Sequence, residues 1–450
     1  MRQEVKRNFK DISNRIKKRD FSGNTGTAIK ISLIQVPINL IAKVGSLIFT
    51  IILARMLMPE LFGLYSLALS TIIIFSTFSE LGIGETLVRF ISREFGKNKK
   101  NLKTKSYAIY LGKIKLIFLS VSMLTLVIFS RLISENYYHK PIFLALIAGS
   151  MYVLFIGITG FLKSLLMASN YFEGILYQEV IFQIVRLIII PLLILFSIRN
   201  LFSNELVLFF IILGLSFSFL ISSIFLLFLS KNKLKYLKEK ERKITSSEKK
   251  EVNKFIIPAS AVVFTAIFFG SIDMVMLGRF VPPEFIGYYR AALGLAAAMA
   301  PFVSFVLLPV FSRLKGKQLE RGFKKSVSVT LSFSLLLAFS VFLLSPFIIN
   351  FIYGLEYQTS INILRLFSLL LISSPILLIY STYFTSKGKP IIVMKTLAVS
   401  IIINIFLNLL AIYSLASYGN LIVVYGVTAA TIISNWFYMI GLVIFKKRGF

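Results

Sequence analysis

Glu179, Gln183 and Arg186 follow one another at i, i+4 and i+7, a spacing that stacks a carboxylate, an amide and a guanidinium on one face of a helix. Asn404 and Asn408 form a second i, i+4 pair, and Gln35 and Asn39 a third, one turn before Lys43. Four further charges, Asp273, Arg290, Arg365 and Lys395, interrupt otherwise apolar runs. These residue types suit ion binding. Lysine and arginine attract anions, and the arginine fork matches two phosphate oxygens at once. Asp273 and Glu179 could exchange a proton or bind Na+, or could pair with a cation such as a nearby arginine. The amide pairs could equally serve hydrogen bonding between helices. Other chemistries are excluded by composition. The chain has no cysteine and one histidine, His139, so thiol catalysis, thiolate metal sites, histidine clusters and Ser-His-Asp triads are absent. His139 reads as a surface residue in a loop beside Tyr137 and Tyr138. GIGETL at 82–87 lacks the ending of a phosphate loop. Glu80 and Glu85 read as partners of the neighbouring basic loop. No catalytic residue, metal site or cofactor is expected.

The elements that carry these residues are membrane-spanning helices. Of the 450 residues, 57% are hydrophobic and 15% charged, against about 25% charged in soluble proteins. Mean hydropathy is +0.83. A span needs about 20 mostly apolar residues. That ruler predicts twelve helices, at 31–54, 62–84, 108–130, 141–163, 175–198, 206–230, 255–280, 286–310, 327–352, 361–384, 391–413 and 422–445. With the N-terminus inside, 40 of the 50 Lys and Arg fall in inner segments and five in outer ones. This asymmetry orients the chain with both termini cytoplasmic. It also accounts for the net charge of +31 without nucleic acid, because the charge is spread over many short loops; anionic membrane lipids are its natural neighbours. On this map Lys43 and Arg186 lie near mid-membrane. Asp273 lies in the outer third of its span, and Arg290 and Arg365 lie nearer the outer surface. Lys395, close to the inner surface, snorkels. The first 30 residues are basic and polar, unlike a cleavable signal peptide.

Residues 231–254 form the longest hydrophilic segment and divide the chain. The expected organisation is a basic segment at 1–30, an N-lobe of six spans at 31–230, a cytoplasmic linker at 231–254, a C-lobe of six spans at 255–445 and a short C-terminus at 446–450. An internal repeat agrees with this division. LARMLMPELFGLYSLAL at 53–69 and LGRFVPPEFIGYYRAAL at 277–293 share eight of 17 positions at an offset of 224, without a gap. Among them are Arg55/Arg279, Pro59/Pro283, Glu60/Glu284, Gly63/Gly287 and Tyr65/Tyr289. The proline ends one helix and the glycine permits close approach at the start of the next. Arginine and glutamate are expected to pair at that turn. Each half holds an even number of spans, so the halves share an orientation, as in transporters built from parallel repeats.

The stretch ILARMLMPELFGLYSLALSTIIIFSTFSELGIGETLVRFISR (52–93) resembles the opening of Wzx-type oligosaccharide flippases, of the multidrug/oligosaccharidyl-lipid/polysaccharide flippase superfamily. SIDMVMLGRFVPPEFIGYYRAALGLA (271–296), LLPVFSRL (307–314) and NIFLNLLAIYSLASYGNLIVVYGVTAATIIS (404–434) extend the resemblance over nearly the whole chain. Each motif is loose; their order and spacing carry the likeness. It implies an all-α protein of the cell membrane with two six-helix lobes around a cavity. It further implies transport of a polyprenyl-(pyro)phosphate-linked oligosaccharide to the external leaflet by alternating access, with no enzyme activity. Glycan polymerases or glycosyltransferases of the same pathway would be its partners. Within that reading Lys43, Arg186, Arg290, Arg365, Gln183, Asn39 and Asn408 are the candidate substrate-binding residues, and Asp273 and Glu179 the candidates for coupling to H+ or Na+ or for ion pairing. Two alternatives stay open. A drug/cation antiporter of the same superfamily should place acidic residues in its cavity. A membrane-embedded glycan ligase or glycosyltransferase should carry acidic or histidine-bearing outer loops, and the outer loops here are short.

Overall fold

The computed structural model of the chain describes residues 23–95, 103–238, 243–304, 316–387 and 389–448, and among them the regular structure is helical throughout. Thirteen helices follow in order: α1 Gly23–Glu80, α2 Ile83–Phe95, α3 Thr104–Arg131, α4 Phe143–Ala168, α5 Phe172–Arg199, α6 Asn204–Lys233, α7 Ser246–Phe280, α8 Pro283–Ser304, α9 Gly316–Ile352, α10 Ser360–Phe367, α11 Leu370–Ser386, α12 Pro390–Leu415 and α13 Asn420–Lys447. Among the described residues nine helices are long and apolar enough to cross a membrane, or ten if the two arms of α7, bent by 42°, count as one span. The predicted spans overlap these helices, but 62–84 runs past the end of α1 into α2, 141–163 starts two residues before α4, 361–384 crosses from α10 into α11, and 305–310 of the eighth lies outside the described residues. The third segment of the resemblance, 307–314, lies outside them too.

Long apolar side chains face outward as well as inward, as a hydrocarbon solvent requires. Ile128, Phe228, Phe347 and Phe351 are each at least 66% exposed. Small residues also contribute to the contacts between helices. α6 buries Ser218, Ser222 and Ser223, and the Ser223 hydroxyl meets that of Thr159 on α4 at 2.8 Å.

Proline punctuates the helices where the repeat places it. α1 is two helices joined at Met58, whose φ of 57° and ψ of 170° are non-helical. Pro59 follows, and a residue before proline is driven from the helical region. In the second half the corresponding break falls between Phe280 and Pro283. Left-handed residues mark other turns: Leu81, His139, Asn170 and Leu201. The sequence places the start of the seventh span at 255, whereas α7 begins nine residues earlier, at Ser246. A capping box fixes that start: the Thr245 hydroxyl accepts from the Glu248 amide at 3.3 Å, and the Glu248 carboxylate accepts from the Thr245 amide at 2.8 Å.

The two copies of the repeat pack directly on each other. A Cβ on Gly63 would lie 1.8 Å from the Pro283 carbonyl oxygen, and one on Gly287 would lie 2.1 Å from that of Pro59. The arginines of the repeat also cross over. Arg55 donates from Nε to the Ile352 carbonyl at 2.7 Å and from Nη2 to that of Phe351. Arg279 donates to the Tyr137 carbonyl at 3.0 Å. Each therefore closes the third long helix of the opposite half, rather than pairing with Glu60 or Glu284 as expected. A third crossed pair uses equivalent carbonyls, 224 positions apart: the Tyr357 hydroxyl donates to Ala54 at 2.8 Å, and Lys140 Nζ donates to Gly278. All of these contacts lie at the end of the bundle where charge is sparse.

At the opposite, basic end the start of α7 rests on α2 and α3. Arg93 meets Glu251 at 2.7 Å, Lys103 meets Glu248 at 2.8 Å, and the Arg89 guanidinium lies 4.2 Å from the Phe255 ring centroid. Desolvation pushes the Glu248 carboxyl up, but its bonds from Lys103 and Thr245 outweigh that and hold it at about 2.

Candidate functional site

α1 and α5 bring the first group of predicted residues together. Gly45 makes room for Gln183: a Cβ there would lie 2.3 Å from Gln183 Oε1. One turn further along α1, Phe49 packs on Arg186. The guanidinium carbon lies 4.6 Å from the Phe49 ring centroid and 4.9 Å from that of Phe182. Arg186 is 7% exposed, and its Nε and Nη2 are buried with no hydrogen-bond partner among the described residues. Two aromatic faces offset part of the cost of holding a bare cation in a low-dielectric site. The carboxylate of the predicted stripe does not neutralise it: Glu179 is taken by Lys163, at 3.2 Å, and by the Gln183 amide, at 2.8 Å.

Arg290 approaches the same region from the second half. It is half-buried on α8. Tyr65 lies within electrostatic reach of both Arg186 and Arg290, so the two cations share one neighbourhood. Tyr152 lies within electrostatic reach of Arg186, and Tyr353 within that of Arg290. Lys43 occupies another face of α1. Asn39, Lys43, Ser46 and Thr50 follow i, i+4, i+7 and i+11, one polar stripe. Thr50 on that stripe lies 3.9 Å from the Cβ position of Gly294, one turn beyond Arg290. Lys43 is exposed; Asn39, also exposed, accepts from Gln35 at 3.1 Å.

The second half holds a buried carboxylate network. Asp273 on α7 is 6% exposed. Its Oδ1 accepts from the Asn408 amide at 2.7 Å, and its Oδ2 accepts from the hydroxyls of Thr431 at 2.7 Å and Tyr289 at 2.9 Å. Asn408 also donates to Asn404 Oδ1 at 3.2 Å, and Asn404 in turn donates to Ser434 at 3.3 Å. Asn408 Oδ1 is buried without a partner among the described residues. The expected pairing of Asp273 with an arginine is therefore corrected: its hydrogen-bond partners are neutral. α7, α8, α12 and α13 all contribute. Tyr289 precedes Arg290 in the chain, so this network adjoins the cationic site through one peptide bond.

Repeat register exposes an asymmetry. Tyr65 and Tyr289 are counterparts at the offset of 224, and so are Phe49 and Asp273. In one half that position stacks on a cation; in the other it is a carboxylate. Sequence reasoning found Arg186, Arg290 and Asp273 by their charge, but missed Tyr65, Tyr289 and Thr431. The tyrosines were visible only as identities of the repeat, and nothing marked Thr431.

Arg365 stands apart from both sites. It faces a groove of about 610 Å³ lined from α9, α10, α12 and α13. Its Nη1 donates to Asn362 Oδ1 at 3.0 Å.

The family model described as "Polysaccharide biosynthesis protein" matches residues 30–315. No curated protein sequence matches the chain. Among solved structures, the chain is similar to a lipid II flippase, MurJ, in an inward closed conformation, with 17% identity, a TM-score of 0.72 and coverage of 92% of this chain and 87% of that one. It is also similar to an inward-facing multidrug resistance MATE family transporter of the MOP superfamily, with 14% identity, a TM-score of 0.66 and coverage of 93% and 98%. A MOP superfamily transporter from Pyrococcus furiosus, described by the reverse polarity of its binding pocket, matches at 12% identity and a TM-score of 0.52, with coverage of 94% and 95%. At these identities the likeness is one of fold.

Proposed function

The chain belongs to the polysaccharide biosynthesis protein family, and on that premise we propose that it flips a polyprenyl-(pyro)phosphate-linked oligosaccharide from the cytoplasmic to the external leaflet of the cell membrane. It is a multi-pass membrane transporter, not an enzyme. The observation that carries the reading is Arg186: a buried guanidinium with two nitrogens lacking partners among the described residues, with Arg290 within electrostatic reach of the same Tyr65. Burying an unpaired cation at that depth costs about 2.5–3.5 kcal/mol on insertion scales. An anionic headgroup is the ligand that repays it, through charge-assisted bonds to the guanidinium fork. Gln183 and the stripe of Asn39 and Lys43 would receive the neighbouring polar groups of the cargo. Asn408 serves Asp273 instead.

The full organisation is twelve spans in two lobes of six, with both termini cytoplasmic. Support comes from the division of α1 at Met58, the crossed contacts of the repeat and the concentration of Lys and Arg at one end. The crossed contacts then hold the external end shut in this state, and alternating access requires them to part. Asp273 is the coupling group. Its cage of hydroxyls and amides can hold a carboxylate that exchanges H+ or Na+, and Tyr289 links that exchange to Arg290. Glu179, already paired with Lys163, is the weaker candidate. A drug/cation antiporter would need a carboxylate where Arg186 stands.

Reconstitution tests the function. Purified protein in liposomes, given labelled lipid-linked glycans and imposed ion gradients, should move the label to the opposite leaflet. Unchanged leaflet accessibility with every glycan and gradient, alongside efflux of organic cations by the same vesicles, would replace this reading with the antiporter.

A further inference from the structure

Arg365 is an intramembrane cation with a pocket of its own. α10 and α11 run nearly end to end as a 26-residue apolar segment from Ser360 to Thr385. At ~1.5 Å per residue it is roughly 40 Å long, whereas the hydrocarbon core is about 30 Å thick. About 5 Å at each end therefore lies among headgroups. Arg365, five residues from the start, sits about 3 Å inside the hydrocarbon boundary, so its side chain reaches back to the phosphate level. By the charge distribution this is the external leaflet.

The groove in front of it is open to lipid on one side. Phe342, Leu366, Leu415, Ile422, Tyr425 and Ala429 line it. Phe342 and Ile422 are 48% and 42% exposed, and Phe339 and Leu343 beside Phe342 are more so, on a helix that shows large apolar side chains to the bilayer. An arginine in such a place needs an anion. No carboxylate lies within ion-pairing distance among the described residues, and Arg365 Nε is buried without a partner. Asn362 accepts from Nη1 through its oxygen, which leaves its amide as a second donor at the rim. The groove thus offers one positive charge, neutral donors beside it and an apolar trough below. One charge matches the single negative charge of a phosphodiester. A pyrophosphate carries at least two and would call for a second cation.

We propose that this groove is a binding site for an outer-leaflet glycerophospholipid, its phosphodiester on Arg365 and Asn362 and an acyl chain along Phe342 and Tyr425. The site is separate from the Arg186–Arg290 region and does not depend on the nature of the cargo. The test uses purified full-length protein and native mass spectrometry, with phosphatidylglycerol as the probe and diacylglycerol of the same chains as the phosphate-free control. The wild type should retain one phosphatidylglycerol more than Arg365→Gln, with at least a tenfold loss of that bound state. Ala429→Phe, which fills the trough but keeps the charge, should lose it as well. Diacylglycerol should not be retained. Equal retention of phosphatidylglycerol by wild type and both variants overturns the proposal. So does its complete displacement by an equal concentration of polyprenyl pyrophosphate, which assigns the groove to the carrier lipid.

Discussion

Gly63 and Gly287, 224 positions apart, each rest against a carbonyl of the other's repeat, Gly63 on Pro283 and Gly287 on Pro59. Neither site has space for a methyl group. Gly63→Ala and Gly287→Ala should each destabilise the protein by about 1–3 kcal/mol, the usual cost of overpacking. Their effects should be non-additive because they share one contact surface. Unfolding of the two single variants and the double variant in detergent measures both quantities; additive effects would show that the two contacts are independent.

Arg186 should trade stability against transport. Replacing it with Gln removes an unpartnered buried charge, so Arg186→Gln should unfold at higher temperature than the wild type. The same change should lower glycan flipping by about 10–100-fold, the equivalent of a charge-assisted bond worth about 1.5–3 kcal/mol. Thermal denaturation and vesicle transport on one preparation give both readouts. A variant that is destabilised and fully active contradicts the assignment.

Asp273→Asn should separate coupling from binding. Thr431, Tyr289 and Asn408 all donate to the carboxylate, and an amide can accept them at only one of its two ends. Transport by the variant should no longer respond to an imposed proton or sodium gradient, while exchange without a gradient persists. A gradient response equal to the wild type's moves the coupling site elsewhere.

Removing either crossed arginine should loosen the end of the bundle that it closes. Arg55→Ala frees the carbonyls of Phe351 and Ile352, and Arg279→Ala frees that of Tyr137. Cysteines placed at Glu60 and Leu355 should become more reactive toward a membrane-impermeant maleimide in both variants, by several-fold. If labelling rates stay at the parent level, these bonds do not hold the closed state.

The contact at the basic end should fail only in strong acid. Glu248 titrates near 2 in the folded chain, below the ordinary carboxylate value of 4.5. A depressed carboxylate stabilises the fold fully above its unfolded pKa, and that stability is lost as pH falls through the folded one. The stability gap between wild type and Glu248→Gln should therefore be constant above about pH 5 and close between about 4.5 and 2. A gap that closes near neutrality would point to another group.

Much of this architecture was legible because a bilayer imposes a coarse code. Span length, loop charge and helical spacing located the helices and put Glu179, Gln183 and Arg186 on one face. Charge alone marked Asp273, but its partners were not readable. They are two hydroxyls and an amide from three other helices, all common residue types with no sequence proximity. The expected arginine partner failed for a related reason: neutral donors can satisfy a buried carboxylate without a second desolvated charge. Arg55 and Arg279 were read against Glu60 and Glu284, their neighbours in sequence. Their true partners are helix-terminal carbonyls, which every residue possesses and no sequence pattern announces. Arg365 was grouped with the cavity cations as a charge within a span, and only the packing of four helices reveals that it faces a different groove.

The crossed bonds at the sparsely charged end also bear on how that end can reclose once it has opened. Arg55, Tyr357, Lys140 and Arg279 each fasten a residue of one half of the sequence to a backbone carbonyl of the other. Because donor and acceptor belong to one chain, they stay at high effective concentration when they part, and each clasp re-forms as an intramolecular event.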